Sequence, residues 1–216
     1  MLPWIRRFTD STRGRVVELL RRQDLTVEEM AAALGLTDNA IRAQLATLER
    51  DGMVEPRGLR RGPGKPSALY GVAPDFEVTL SRAYVPLTLR LLDEIAARLP
   101  PRVLTAILRA AGKRWAADVP PPAGGLPAKA RWGAGLLNEL GGQVDVREGE
   151  GGLVLQGASC PLSAVVRAHP RTCLAIESLL ADRLDVTVVE QCDRGGERPR
   201  CRFLIGPGAA ASRRRP

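Results

Sequence analysis

Residues 25–52 read LTVEEMAAALGLTDNAIRAQLATLERDG, and this stretch decides the fold. Thr26 and Glu29 stand three apart before an apolar run. That is the pattern of a capping box, in which a hydroxyl accepts from one exposed amide and a carboxylate from another. The helix they start runs to about Leu34, and Gly35 supplies the turn. A further helix begins near Thr37 or Asp38 and continues to Arg50, where Asp51-Gly52 ends it. Its apolar positions, Ile41, Leu45 and Leu48, are spaced four and three apart and share one face. Upstream, Ser11 or Thr12 caps a helix reaching Arg22, with Val16, Val17, Leu19 and Leu20 as its apolar stripe.

Downstream the period changes. Met53 to Pro56 and Ser67 to Val72 read as extended, on either side of the tip Leu59-Arg60-Arg61-Gly62-Pro63-Gly64-Lys65-Pro66. Three short helices followed by a basic hairpin are the parts of a winged helix-turn-helix. With Ile41, Leu45 and Leu48 turned inward, Asn39, Arg42, Ala43 and Gln44 remain free to face the edges of base pairs in a major groove. Thr37, at the helix start, suits a phosphate. Arg60, Arg61 and Lys65 on the hairpin tip suit a minor groove or the sugar–phosphate backbone. The net charge of +8 agrees with a polyanionic partner. An Arg-rich composition alone would give the same sum, so the clustering of cations on the tip is the stronger sign.

Beyond the hairpin, Phe76 to Leu99 reads as a long helix with Leu80, Tyr84, Leu87, Leu91 and Ile95 on one side and Pro86 as a kink. Pro100-Pro101 breaks it, and Arg102 to Ala117 forms the next helix. A Pro/Gly-rich linker spans Val119 to Pro127, followed by a helix from about Ala128 to Leu140. Val144 to Arg147 and Leu153 to Gln156 read as two strands joined by the turn Glu148–Gly152. Leu162 to Ala168 and Thr172 to Arg183 read as helices, divided by Pro170. Val186 to Gln191 and Arg202 to Ile205 read as a second strand pair, and the last residues, ending Ser-Arg-Arg-Arg-Pro, as a basic tail. The expected fold class is α+β: a winged helix-turn-helix (10–75), a helical dimerisation segment (76–118) and an α+β sensor domain (128–206).

All four cysteines, Cys160, Cys173, Cys192 and Cys201, lie in that last part, spaced C-x12-C-x18-C-x8-C. No C-x2-C pair is present, which argues against a zinc ribbon or a thioredoxin-like motif. Cys160 and Cys173 each fall where a helix begins, a position that favours the thiolate. Four converging thiolates suit a [4Fe–4S] or [2Fe–2S] cluster, or zinc. Four reduced, half-buried core cysteines fit the spacing equally well. His169, the single histidine, stands between two of the cysteines and is an alternative fourth ligand.

No apolar run approaches the ~20 residues of a membrane span. The segment Met1 to Thr12 lacks the apolar core and cleavage site of a signal peptide, so a cytoplasmic protein with reduced cysteines is expected. Walker, G-x-G-x-x-G and H-E-x-x-H motifs are missing, and Gly149-Glu150-Gly151-Gly152 is an acidic turn unsuited to phosphate. Thiol catalysis would have to pass through His169, from which Pro170 separates Cys173. A transcription regulator is therefore expected rather than an enzyme. A metal-free thiol-redox or small-molecule sensor, and a cysteine-dependent enzyme, are the alternatives.

The chain also resembles a family. Ser11-Thr12-Arg13, Leu25-Thr26-Val27, Leu34 through Arg42, Leu45, Leu48-Glu49 and Gly64-Lys65-Pro66 look like the ArsR-related winged-helix regulators that include the SufR group, which repress iron–sulphur assembly genes. In outline the resemblance covers Ser11 to Ile205. It implies a repressor; a homodimer on a palindromic double-stranded operator is expected besides, with the Phe76–Leu99 helix as the dimer seam, since two-fold symmetry lets paired recognition helices read such a site. It also implies a cluster held through a Cys-Pro start, a second cysteine thirteen positions on and a third twenty-eight beyond. Cys160, Cys173 and Cys201 match those steps, and Cys192 is additional to them.

Overall fold

The computed structural model describes residues 3–61, 65–149, 152–195 and 198–206, and it divides between Arg82 and Ala83 into two compact units. The tip residues Gly62, Pro63 and Gly64, the turn residues Glu150 and Gly151, and the basic tail lie outside the described residues.

The first unit contains α1 (Pro3–Asp10), α2 (Thr12–Leu20), α3 (Val27–Leu34), α4 (Asp38–Arg50), β1 (Val54–Arg60), β2 (Ser67–Val72) and α5 (Pro74–Leu80). Ser11 caps α2 by accepting from the Gly14 amide at 3.1 Å. The capping box forms: the Thr26 hydroxyl accepts from the Glu29 amide at 3.3 Å, and the Glu29 carboxylate accepts from the Thr26 amide at 2.8 Å. Gly35 adopts φ 66°, and Leu36 donates its amide to Ala31 O at 3.0 Å, which closes the turn between α3 and α4. Ile41, Leu45 and Leu48 are buried with Val16, Leu20, Met30 and Val54 in one core. β1 and β2 pair antiparallel from Val54↔Val72 to Arg60↔Ser67, with a bulge between Pro56 and Gly58. Leu25 extends the hairpin by exchanging both backbone hydrogen bonds with Tyr70.

One expectation fails here, and α1 is additional to the helices read from the sequence. The single helix over Phe76–Leu99 is instead two, α5 and α6 (Tyr84–Arg98), divided at Ser81–Ala83. Pro86 is the reason. With no N–H to donate and a ring that clashes with the preceding turn, it is tolerated only in the first turn of a helix, so the helix begins just before it rather than running through it.

The second unit continues from α6 with α7 (Pro101–Ala117), α8 (Leu126–Glu139), β3 (Val144–Gly149), β4 (Gly152–Gly157), α9 (Ser163–Val166), α10 (Cys173–Leu184), β5 (Val188–Glu190) and β6 (Arg202–Ile205). A short 3₁₀ turn over Pro170–Thr172 leads into α10. Strand β5 is shorter than the Val186–Gln191 reading. The expected two strand pairs are joined into one antiparallel sheet in the order β3-β4-β6-β5, because β4 pairs with β6 from Leu153↔Ile205 to Gln156↔Arg202. Leu137, Leu155, Leu179, Leu180, Leu184, Phe203 and Ile205 form its buried centre.

Helix α7 lies against α10 so closely that a Cβ on Gly112 would stand 2.1 Å from Ala175 O. Gly112→Ala should therefore force the two helices apart and cost ~1–3 kcal/mol, as overpacking does. Thermal unfolding followed by circular dichroism checks this; an unchanged midpoint would show the helices to be separable at no cost.

Candidate nucleic-acid interface and thiol centre

On α4, Asn39, Arg42 and Ala43 are exposed and Gln44 is half-buried, on the side away from Ile41, Leu45 and Leu48. Thr37 caps the helix by accepting from the Ala40 amide at 3.3 Å, which leaves its hydroxyl proton as a donor. Arg42 and Lys65 line one cleft of about 340 Å³ with Val27, Glu28, Pro66, Ser67 and Ala68, so a side chain of α4 and one of the hairpin share a single surface. Glu28 Oε1 lies 3.9 Å from Arg42 Nη2. Its carboxyl sits below the usual range, through its own backbone amide first, then the Thr26 hydroxyl and the Arg42 charge.

The hairpin cations are not equivalent. Arg61 and Lys65 are exposed. Arg60 pairs with Glu29 and donates to Asp24 O at 3.4 Å, which braces β1 against the start of α3. The sequence reading had found Glu29 as a cap but missed this second duty, because the pairing spans a sequence separation that no periodicity reports.

In the second unit the four cysteines come from different elements. Cys160 follows β4 ahead of α9, Cys173 opens α10, Cys192 lies just past β5, and Cys201 immediately precedes β6. Cys160, Cys173 and Cys201 are buried and Cys192 is partly so, and all four are free thiols. They form a ring. Cys160 has Cys173 and Cys201 as hydrogen-bonding neighbours, and Cys192 has the same two on its other side. The β4–β6 pairing helps close the ring, since the Gly157 amide donates to Cys201 O at 2.7 Å.

The ring shares its protons unevenly. Cys201 is drawn down to about 4 by the Cys160 and Cys192 thiols that donate to it. Cys192 is pushed up by its hydrogen bonds to Cys173 and Cys201 and then by burial. Cys173 is pushed up chiefly by Cys160; Cys160 is lowered by Cys173 but raised further by Cys201 and by burial.

Residues not foreseen from the sequence surround the ring. Cys173, Glu190 and Cys192 present ligand atoms that lie within 4.8 Å of one another, a grouping able to hold a metal ion. Glu190 accepts from the Cys192 amide and pairs with Arg194, whose charge also neighbours Cys173. Buried Glu177 accepts from the Glu190 amide at 3.0 Å and pairs with Arg109 at 3.2 Å, which fixes the strand carrying Glu190. Glu190 and Arg194 flank Cys192 symmetrically, two residues to either side, and that was the available signal. His169, the alternative ligand, is engaged elsewhere: its Nε2 lies 3.0 Å from Asp93 Oδ1.

Among the described residues, two buried side-chain polar atoms lack a hydrogen-bond partner, Ser159 Oγ and Arg194 Nε. One precedes Cys160 and the other follows Cys192 by two. Four thiols and a neighbouring carboxylate are groups able to hold a metal ion through sulphur and oxygen.

Residues 10–55 match the family described as "Bacterial regulatory protein, arsR family". No curated protein matches the chain. Among solved structures, reduced HlyU from Vibrio cholerae is 22% identical over 35% of this chain and 76% of its own, at a TM-score of 0.29. PadR of Bacillus subtilis, solved in complex with operator DNA, is 15% identical over 62% of this chain and 74% of its own, also at 0.29. At these scores neither likeness extends to the whole chain. The matched segment holds α2, α3, α4 and the first residues of β1, so α4 belongs to an ArsR-type helix-turn-helix, the DNA-binding part of regulators and not of enzymes.

Proposed function

We propose that this chain is a cytoplasmic transcriptional repressor of SufR-like type, whose affinity for its operator is governed by an iron–sulphur cluster held by Cys160, Cys173, Cys192 and Cys201. The observation that carries this reading is the gathering of all four thiols into one ring, in a chain whose residues 10–55 match a regulator family. Cys192 supplies the fourth ligand that the three-step cysteine pattern lacks. When bound, the cluster supplies a centre that oxidants or iron limitation remove. The residues around it hold the ligands in place: Glu190 through the Cys192 amide, Glu177 through the Glu190 amide. Cluster and operator are then linked sites, with a coupling of ~1–3 kcal/mol. The nearness of Glu190 to two of the thiols favours a second reading, a zinc site, since zinc accepts mixed sulphur and carboxylate ligands.

On the DNA side, Asn39, Arg42, Ala43 and Gln44 read bases, while Thr37, Arg61 and Lys65 position the phosphates and Arg60 braces the hairpin. A homodimer on a palindromic site is supported by Tyr84, Leu87 and Leu91, which are 57–65% exposed along one face of α6. The seam is therefore assigned to α6 rather than to the longer helix expected from sequence. Among the described residues no helix is long and apolar enough to cross a membrane.

Anaerobic purification with iron, sulphide and zinc analysis tests the centre. Brown protein containing iron and sulphide is expected, and Cys192→Ser should lose most of both. Colourless protein with zinc would favour the second reading, and metal-free protein would sink both. Holo and apo protein should differ about 5- to 150-fold in operator affinity; equal binding would uncouple the two sites. Arg42→Ala should lose ~1–3 kcal/mol of discrimination between operators, whereas Lys65→Ala should weaken every duplex alike and reduce the salt slope by about one. The opposite pattern would exchange their roles. Light scattering should find a dimer that Leu87→Glu with Leu91→Glu turns into a monomer; a wild-type monomer would remove the two-fold operator from the proposal.

A further inference from the structure

Both buried side-chain polar atoms left without a partner among the described residues adjoin thiols of the ring in sequence. A buried unpaired donor costs ~1–3 kcal/mol and native folds keep few of them, so each calls for an occupant to donate to. Arg194 is also not a loose surface cation. Its Nη2 pairs with Glu190, whose other oxygen accepts from the Cys192 amide, so the guanidinium is fastened to the segment that carries a ring thiol. Its side chain is also a hydrogen-bonding neighbour of the Cys173 thiol, which places the guanidinium at the ring. Of its five N–H donors, the one on Nε is buried with no partner among the described residues. Ser159, the residue before Cys160, carries a buried hydroxyl that no described residue engages.

We infer that Arg194 and Ser159 are positioning residues of the sulphur centre, donating Nε–H and Oγ–H hydrogen bonds to the sulphurs of the bound group and thereby setting its reduction potential. The inference rests on the cluster reading given above and assigns roles to two side chains that bind no iron themselves. Its physical basis is general. A donor aimed at a cluster sulphur stabilises the reduced, more negative state, so removing it lowers the potential. A fixed positive charge nearby acts in the same direction, and the guanidinium supplies both. Held by Glu190, it delivers its Nε–H without further loss of side-chain freedom.

The test uses the full chain, reconstituted anaerobically with iron and sulphide and titrated spectroelectrochemically. Arg194→Gln is expected to keep the iron and sulphide content of the wild type while its reduction equilibrium falls at least tenfold, which is 59 mV for one electron. Ser159→Ala is expected to fall in the same direction by a smaller factor, and it serves as the second reading should Arg194→Gln fold poorly. Arg194→Lys keeps the charge and loses the Nε–H, so its potential should stay nearer that of Arg194→Gln than that of the wild type. Unchanged potentials in Arg194→Gln and Ser159→Ala, with the cluster present, would overturn this inference alone. A wild-type potential in Arg194→Lys would also overturn it, leaving only a charge effect. Wild-type protein that takes up no iron and sulphide would overturn the cluster reading itself, and this inference with it.

Discussion

The winged head depends on one carboxylate. Glu29 accepts from the Thr26 amide through one oxygen and pairs with Arg60 through the other. The first contact satisfies an amide that the start of α3 would otherwise leave bare. The second ties the far end of β1 to that same turn. One residue upstream of the cap partner, the backbone of Leu25 pairs with Tyr70, so helix start and hairpin are joined by main chain and side chain together. The reader helix α4 rests on this frame through Ile41, Leu45 and Leu48, and its exposed side can be presented to DNA only because the opposite side is so fully committed. Exposed ion pairs are worth little singly, and the strength here comes from sharing one carboxylate between a cap and a brace.

The second unit follows a different logic. Its sulphurs are gathered by long-range strand pairing, not by a local motif. Cys160 and Cys201 sit beyond the paired ends of β4 and β6, and Cys173 and Cys192 stand near the two ends of the α10–β5 segment. Around them the polar groups form a chain from Arg109 through Glu177 to Glu190 and Arg194. Each acid in that chain fixes a backbone amide on the next segment, which is how a site without a C-x2-C turn can still hold its ligands in register.

What could be read from the sequence was what local chemistry writes. Caps at Ser11, Thr26 and Thr37 marked helix starts, and the four-and-three spacing of Ile41, Leu45 and Leu48 marked the buried face. The Gly/Pro/Arg tip marked the hairpin. The break before Tyr84 is not legible from apolar spacing, which runs on through Pro86; the missing N–H that makes Pro86 a first-turn residue is what marks it. The order β3-β4-β6-β5 was not legible at all, since periodicity names strands but not their neighbours. The four cysteines were legible as a set. Glu190 and Arg194 were not, because their nearness to the Cys173 and Cys192 thiols arises only once the strands have formed.

The β4–β6 pairing has a consequence beyond geometry. An unfolded chain has no ring, because its four sulphurs are scattered along the polymer and meet only when the sheet closes. Any occupant that binds the ring and not the open chain adds its binding free energy to the folding equilibrium. The unit therefore persists longer when filled and is exposed sooner to proteases when emptied. Abundance in the cell would then register the occupant independently of any grip on a promoter.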